Sequence, residues 1–278
     1  MSCILCKNSE LLFITDQLRQ IGEYKIVKCT QCGHYQLFPL PTKKENIQFY
    51  EDNQQDKLSG VSMVENRLHV DTQRRVDYMR YNFPKEISIL DVGTGYGHFV
   101  TAMRKIGFEN IDGQEPSSGR APVWAIQEDI ENLDYQYDII TLFHVLEHVF
   151  DPKSLLKKIR NLLNPGGVVL IEVPNIDEAL MNSSPAYTKF NFFRAHLSYF
   201  NASILENLIV STGFKEVSVH PIQRYSVLNV LNWLKTGEPQ LENPSFIVPN
   251  KYKFIDNAFR DKMVENGTTD TLWARGVV

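Results

Sequence analysis

The chain has 278 residues, 43% of them hydrophobic, and a formal net charge of −4. Its length exceeds the usual single-domain mode of about 100–150 residues, so one full α/β domain with a smaller appendage is expected, and no run approaches the ~18–20 apolar residues of a membrane helix. The negative balance supplies no global field for a phosphate backbone, which sets nucleic acid aside as the first partner.

Three zones follow one another. Residues 1–42 hold all four cysteines, Cys3, Cys6, Cys29 and Cys32. Two cysteines stand where an export signal would need a basic start and an apolar core, so a cytoplasmic protein is expected. Two Cys-x-x-Cys pairs 22 residues apart each form a knuckle whose thiolates supply half of a tetrahedral structural zinc site, with Gly33 easing the second turn and His34 a neighbour of the site. Redox-active dithiols would want a βαβ context that this segment lacks. Pro39-Leu40-Pro41 is a stiff exit.

Residues 43–85 read as a helical linker or lid, with Ile47, Phe49 and Tyr50, a polar stretch over 51–59, and then Leu68, Val76, Met79 and Phe83. From residue 86 onward short apolar runs alternate with helical periods. The runs at 87–92, 110–115, 137–143 and 168–173 predict strands, and Phe99/Val100/Met103/Ile106 and Leu155/Leu156/Ile159/Leu162 predict helices between them, as in βαβ units on a mainly parallel sheet. Asn164-Pro165-Gly166-Gly167 reads as a turn that stops a helix and restarts a strand. Ser203-x-x-Glu206 reads as a capping box opening a helix that ends at Gly213, before a strand over 214–220. Residues 221–249 read as an insertion between the last two strands.

Between the first of these strands and its helix lies Asp91-Val92-Gly93-Thr94-Gly95-Tyr96-Gly97, a loop whose glycines let a ligand lie against main-chain N–H groups. A dinucleotide fingerprint would need its third glycine one residue later, so NAD fits poorly. Asp91 would repel a pyrophosphate but can orient the loop or accept from an ammonium group. Glu115, 24 residues on, can take both hydroxyls of a ribose, and Asp129, after the short run 123–126, can accept from an adenine amino group while Ile130 covers the ring.

These residues, with the run from Tyr137 through Glu147-His148 to Pro152, resemble class I S-adenosylmethionine-dependent methyltransferases over roughly residues 85–220. The resemblance implies a Rossmann-like, doubly wound sheet of seven mainly parallel strands, a methionine-binding loop at 93–97, Glu115 on the ribose, and Asp129 and Ile130 at the adenine. It also implies Phe143 and His144 beside the cofactor. The cysteine layout is similar to the zinc-binding domain that precedes sugar-methylating enzymes, which implies a small-molecule acceptor in surface-glycan or related biosynthesis. The chain lacks the long C-terminal domain of sugar C-methylating relatives, which favours methylation on oxygen.

For the acceptor side the candidates are His196 as first choice of base, with His144, His148, Tyr187 and Tyr199 nearby in role. Arg224, Tyr225, Asn229, Asn232 and Trp233 of the insertion are candidates to wall a sugar or phosphate pocket. An RNA methyltransferase would need a basic stripe that the charge balance does not advertise, and a non-catalytic binding module is disfavoured by the intact loop with both acids.

Overall fold

A computed structural model describes residues 2–19, 22–46, 48–49, 61–117, 119–239 and 247–278, giving 61–69 as backbone alone. Ile47, Tyr50, the polar stretch 51–59 and the side chain of Leu68 lie outside the described residues.

A six-stranded sheet carries the larger part of the molecule. Its strands are β4 (Ile89–Val92), β5 (Ile111–Gln114), β6 (Tyr137–Phe143), β7 (Leu163–Pro174), β9 (Lys215–Ile222) and β10 (Thr271–Val277), in the order β5-β4-β6-β7-β10-β9. The first four are parallel, and β10 runs antiparallel to β7 and β9. The strands alternate cleanly between two cores. Leu90, Ile140, Val169 and Ile171 face α3 (Pro152–Asn161) and α6 (Ala202–Ser211), whereas Ile89, Ile139, Val168 and Leu170 face α1 (Val61–Asn82) and α2 (His98–Lys105).

Six strands stand where seven were expected, because the run at 123–126 makes a single parallel bridge, Gln114↔Ile126. Pro122 has no N–H to give a ladder, and the exposed Trp124 lies over Gly97 and Gly113. Two further expectations shift. Asn201 caps α6, accepting from the Ile204 amide at 3.0 Å, and Ser203 Oγ donates to that cap instead of forming it. Asn164 to Gly167 lie inside β7 as an outward bulge against β6, where Tyr137 pairs with Leu163 but Ile139 with Val168. The connection between the last two strands also runs further than 221–249. It carries α7 (Val227–Thr236) and α8 (Lys253–Asn266) before β10 begins at Thr271.

The cysteine-bearing segment forms a second sheet, β1 (Leu11–Thr15), β2 (Lys25–Cys29) and β3 (Tyr35–Phe38), all antiparallel neighbours. Its fourth strand, β8 (Ser198–Tyr199), comes from the segment after β7. One core joins the two parts, with Leu18, Ile26 and Leu37 packed on Ile176, Phe192, Leu197 and Tyr199. Between β7 and β8 lie α4 (Ala179–Ser183) and α5 (Pro185–Asn191). Among the described residues no helix is long and apolar enough to cross a membrane.

Candidate active site

The chain leaves β4 for β5 on one side and returns to β6 on the other, so the carboxyl ends of β4 and β6 open a crevice at a topological switch point, the usual ligand site of open α/β sheets. The glycine loop leaves β4 there, and Phe143-His144 leave β6. The two turns touch, since a Cβ on Gly93 would lie 2.6 Å from Val145 Cγ2.

Gly95 has φ 57, a Cβ added there would meet nothing within 4 Å, and its amide donates to Glu115 Oε2 at 3.1 Å. The other Glu115 oxygen accepts from the Ser117 amide at 3.1 Å. A carboxylate and an open backbone face thus stand side by side at the loop's lip. Gly97, at φ 73, closes the loop, and any Cβ would run into the Trp124 ring at 2.4 Å. The Thr94 amide is tied to the Gln114 carbonyl, and Tyr96 stays about half exposed. Asp91 is buried, accepts from Thr141 Oγ1 at 2.6 Å, and is pushed up to about 6 by burial. Asp129 is exposed and caps the turn Ile130–Asn132, which Gln114 Nε2 fixes beside β5 by donating to the Glu128 carbonyl at 2.9 Å. Ile130 packs into the core beneath that turn.

Across the crevice, His144 adopts φ 58, a left-handed conformation that is strained for a residue with a Cβ, and directs the chain into the turn Leu146–His148. His148 therefore sits on an isolated 3-10 turn, and α3 starts only at Pro152, capped by Asp151. His144 Nε2 lies 3.0 Å from Arg224 Nη1 and Nδ1 lies 3.1 Å from Glu147 Oε1. Nε2 stands between a donor, Arg224, and an acceptor, Glu172 Oε1 at 3.2 Å, whereas a carboxylate can only accept, so Nδ1–H donates to Glu147. Burial would raise the Glu147 carboxyl, but this bond and the surrounding imidazoles bring it down to about 2. Its second oxygen, Oε2, is buried with no hydrogen-bond partner.

His148 Nδ1–H donates to the Ala195 carbonyl at 2.9 Å, so in the neutral ring Nε2 carries the lone pair, 3.9 Å from Glu147 Oε1. The His196 ring stands 4.9 Å from that of His148, edge to face. Burial pushes both imidazoles down, His196 to about 3, which keeps them unprotonated near neutral pH. Ligand atoms of Glu147, His148 and His196 all lie within 4.8 Å of one another.

Several expected pocket residues are committed elsewhere. Arg224 is half-buried and donates to Asp71 at 3.2 Å, to Asp270 at 3.2 Å and to His144, which commits its Nε and Nη1 within the protein. Tyr187 donates to buried Glu178 at 2.6 Å and packs edge-on against Trp233. The Tyr199 hydroxyl both accepts from and donates to the Phe193 backbone. Phe143 lies in the core between Phe99 and Trp273, beneath the Arg75 guanidinium. Asn229 is buried, Asn232 donates to the Glu238 carbonyl, and the Tyr225 amide donates to Asp270.

The four cysteine sulfurs form a compact group, with Cys3 and Cys32 at 3.6 Å and Cys6 and Cys29 at 3.5 Å. A tetrahedron of ~2.3 Å metal–sulfur bonds has edges of about 3.8 Å, close to these two separations, and the four sulfurs are the donor set such a metal takes. Backbone amides of Leu5 and Cys6 face the Cys3 sulfur, and those of Gln31 and Cys32 face Cys29. His34 is buried with Nδ1 3.9 Å from Cys3 Sγ, a second-rank contact.

The model of the methyltransferase domain family matches residues 64–219. The chain belongs to that family. The curated relatives include the ubiquinone biosynthesis O-methyltransferases of Acinetobacter baylyi, 34% identical over 103 residues, and of Aeromonas salmonicida, 38% identical over 104 residues. Each match takes 31% of this chain and 43% of the relative, so the chain spans less than half the length of these proteins. Among solved structures, a phosphoethanolamine N-methyltransferase of Haemonchus contortus superposes with a TM-score of 0.54 at 14% identity, covering 87% of this chain and 61% of that one. A SAM-dependent methyltransferase of Thermotoga maritima, described as a possible histamine N-methyltransferase, gives 0.52 at 17% identity, covering 79% and 96%. At such identities the likeness is one of fold.

In this methyltransferase domain the residues that sequence reasoning passed over are the buried charges. Glu172 lies within the apolar run of β7 and receives Arg74 at 2.7 Å and Arg75 through two bonds of 3.0 Å. Burial would raise its carboxyl, yet Arg75 and His144 hold it well below the usual range. The signals were available in outline, as one carboxylate in a strand of Val, Leu and Ile and a pair of adjacent arginines on a helix.

Proposed function

We propose that this methyltransferase takes its methyl group from S-adenosylmethionine and delivers it to a hydroxyl of a small polar acceptor, of the sugar or nucleotide-sugar class, in surface-glycan or related biosynthesis. The observation that supports this most directly is the meeting of two different half-sites at one sheet edge. Gly95 and Glu115 offer an open backbone face with a carboxylate, and the turn from His144 to His148, which touches the loop through Val145 and Gly93, brings imidazoles to the same sheet edge.

In this reading Glu115 takes the ribose hydroxyls while its amide bonds to the loop keep the carboxylate aimed, Asp129 accepts from the adenine amino group, and the backbone at 93–97 lies along the methionine portion. Asp91 holds the loop from below through Thr141. A sulfonium methyl carries its own leaving group, so positioning supplies most of the rate. The acceptor hydroxyl must lose a proton, and in this reading His196, packed edge to face on His148, assists as base. Transfer to oxygen accords with the O-methyltransferase names of the curated relatives. Because Nε and Nη1 of Arg224 are engaged by Asp270, Asp71 and His144, recognition of the acceptor is assigned to hydroxyl groups and not to a phosphate clamp.

The knuckle holds structural zinc through Cys3, Cys6, Cys29 and Cys32, four ligands that leave no open position for chemistry. The test is twofold. Calorimetry should show S-adenosylmethionine and S-adenosylhomocysteine competing for one site, and labelled methyl groups should appear on oxygen in one member of a panel of sugars and nucleotide sugars. Failure to bind the cofactor, or transfer only to nitrogen, overturns the reading.

A further inference from the structure

We propose that Glu147, His148 and His196 form a second metal site, binding a divalent first-row cation of zinc's class at the acceptor end of the methyltransferase cleft. Three independent features of the cluster lead there. Its donor atoms converge, one carboxylate oxygen and two imidazole nitrogens within 4.8 Å, close to the roughly 3–4 Å spacing of ligands around an ion with ~2.0–2.2 Å bonds. The carboxylate also carries an orphaned oxygen, since Glu147 is 1% exposed and Oε2, bonded to the same carbon as the Oε1 that lies 3.9 Å from His148 Nε2, has no hydrogen-bond partner, a costly arrangement that a cation held by the carboxylate would relieve.

The third feature is the support behind the ligands. A metal-ligating histidine donates its other ring N–H to a carbonyl or carboxylate, which fixes the tautomer and aims the ligating nitrogen. His148 does this through Nδ1–H to the Ala195 carbonyl, next to His196 itself. Glu147 is steadied likewise by His144 Nδ1–H on its first oxygen, and His144 is held by Arg224. The cluster's backbone is pinned too, as the Leu197 amide donates to the Glu147 carbonyl at 2.8 Å.

Two imidazoles and one carboxylate suit zinc, cobalt, nickel or iron better than the oxygen-loving magnesium or calcium. Three protein ligands leave a coordination position open, the arrangement of a Lewis-acid site and not of a structural one. That position would take the acceptor hydroxyl. Coordination lowers the hydroxyl's pKa, its proton passes to water, the alkoxide oxygen forms the new bond to the methyl carbon, and the carbon–sulfur bond breaks to leave a neutral thioether. This deepens the reading of the preceding section, because the same cluster activates the same hydroxyl through a cation instead of through the His196 ring.

The experiment loads the full chain with Zn2+, removes loose metal by gel filtration, and compares metal content in the wild type, Glu147→Gln and His196→Asn. The wild type should exceed each variant by one equivalent, with cofactor affinity unchanged as the control for folding. Co2+ substitution should place that extra equivalent in a site without the intense near-ultraviolet thiolate band of the knuckle. Equal metal content in all three proteins overturns the inference. Methyl transfer that persists with only the knuckle metal present would likewise sink it while leaving the base reading intact, whereas an extra bound equivalent without any methyl transfer would keep the site and sink the proposed function.

Discussion

The proposed cofactor half of the cleft is drawn from one continuous stretch of chain, Asp91 to Ile130, whereas the proposed acceptor half gathers Glu147 and His148 from the turn after β6 and His196 from the segment before β8. Its supports come from further still, Arg74, Arg75 and Asp71 on α1, Glu172 on β7, and Arg224 and Asp270 at the two ends of the connection from β9 to β10. The glycine loop is shaped by local backbone geometry and one carboxylate. The acceptor cluster is shaped by long-range packing, buried ion pairs and a strand shared with the cysteine sheet. The Leu197 carbonyl accepts from the Leu37 amide at 3.1 Å while its own amide holds Glu147, so the knuckle and the acceptor cluster are joined through one residue. A local site tolerates distant change, and a gathered one does not.

That contrast can be broken at its sharpest point by His196→Ala. Turnover should fall on the order of 10²–10⁴-fold with cofactor affinity nearly unchanged, whether His196 serves as base or as ligand. A near-normal single-turnover rate would remove it from the chemistry. Next in size is Glu172→Gln, which leaves the buried guanidinium of Arg75 without its counter-charge. Removing one partner of a buried pair costs about 3–5 kcal/mol, so denaturant unfolding should shift strongly while the glycine loop keeps its cofactor in the folded fraction. An unchanged unfolding midpoint would show that the network is dispensable.

Glu115→Ala probes the local half. Hydrogen bonds to a charged group contribute roughly 1.5–3 kcal/mol, so S-adenosylmethionine and S-adenosylhomocysteine should each bind at least about tenfold more weakly. Calorimetry that shows equal affinities would exclude Glu115 from the site. The melting temperature should change little, because the carboxylate ties two loop amides and no core group.

The smallest effect is one of pH. Burial, with Asp270 nearby, pushes the Glu178 carboxyl up to about 8, above its unfolded value. A raised folded pKa contributes stability that is complete below the unfolded pKa and is lost as pH rises through about 8. Glu178→Gln should therefore gain melting temperature relative to the wild type as pH goes from 5 to 8. Parallel profiles for the two proteins would show that Glu178 is ionised throughout.

The α/β alternation, the glycine loop with its two acids and the convergence of four cysteines could all be read from the residues, because each rests on short-range periodicity or spacing. Hydrophobic period 2 against 3.6 separates strand from helix within a few residues, and a Cys-x-x-Cys knuckle closes on itself. Tertiary structure alone decided the rest. The run at 123–126 is apolar enough for a seventh strand, yet behind Pro122 and with Trp124 laid over the glycine loop it makes a single bridge. Arg224, Tyr187 and Tyr199 were plausible pocket residues by type, yet Asp71 and Asp270, Glu178, and the Phe193 backbone consume their polar atoms. Glu147 acquired its place only when the loop carrying His196 folded over it. Local order follows from neighbours in the chain. Which polar atoms remain available for chemistry depends on partners up to 153 positions away, and a buried group must find those partners because solvent cannot substitute for them.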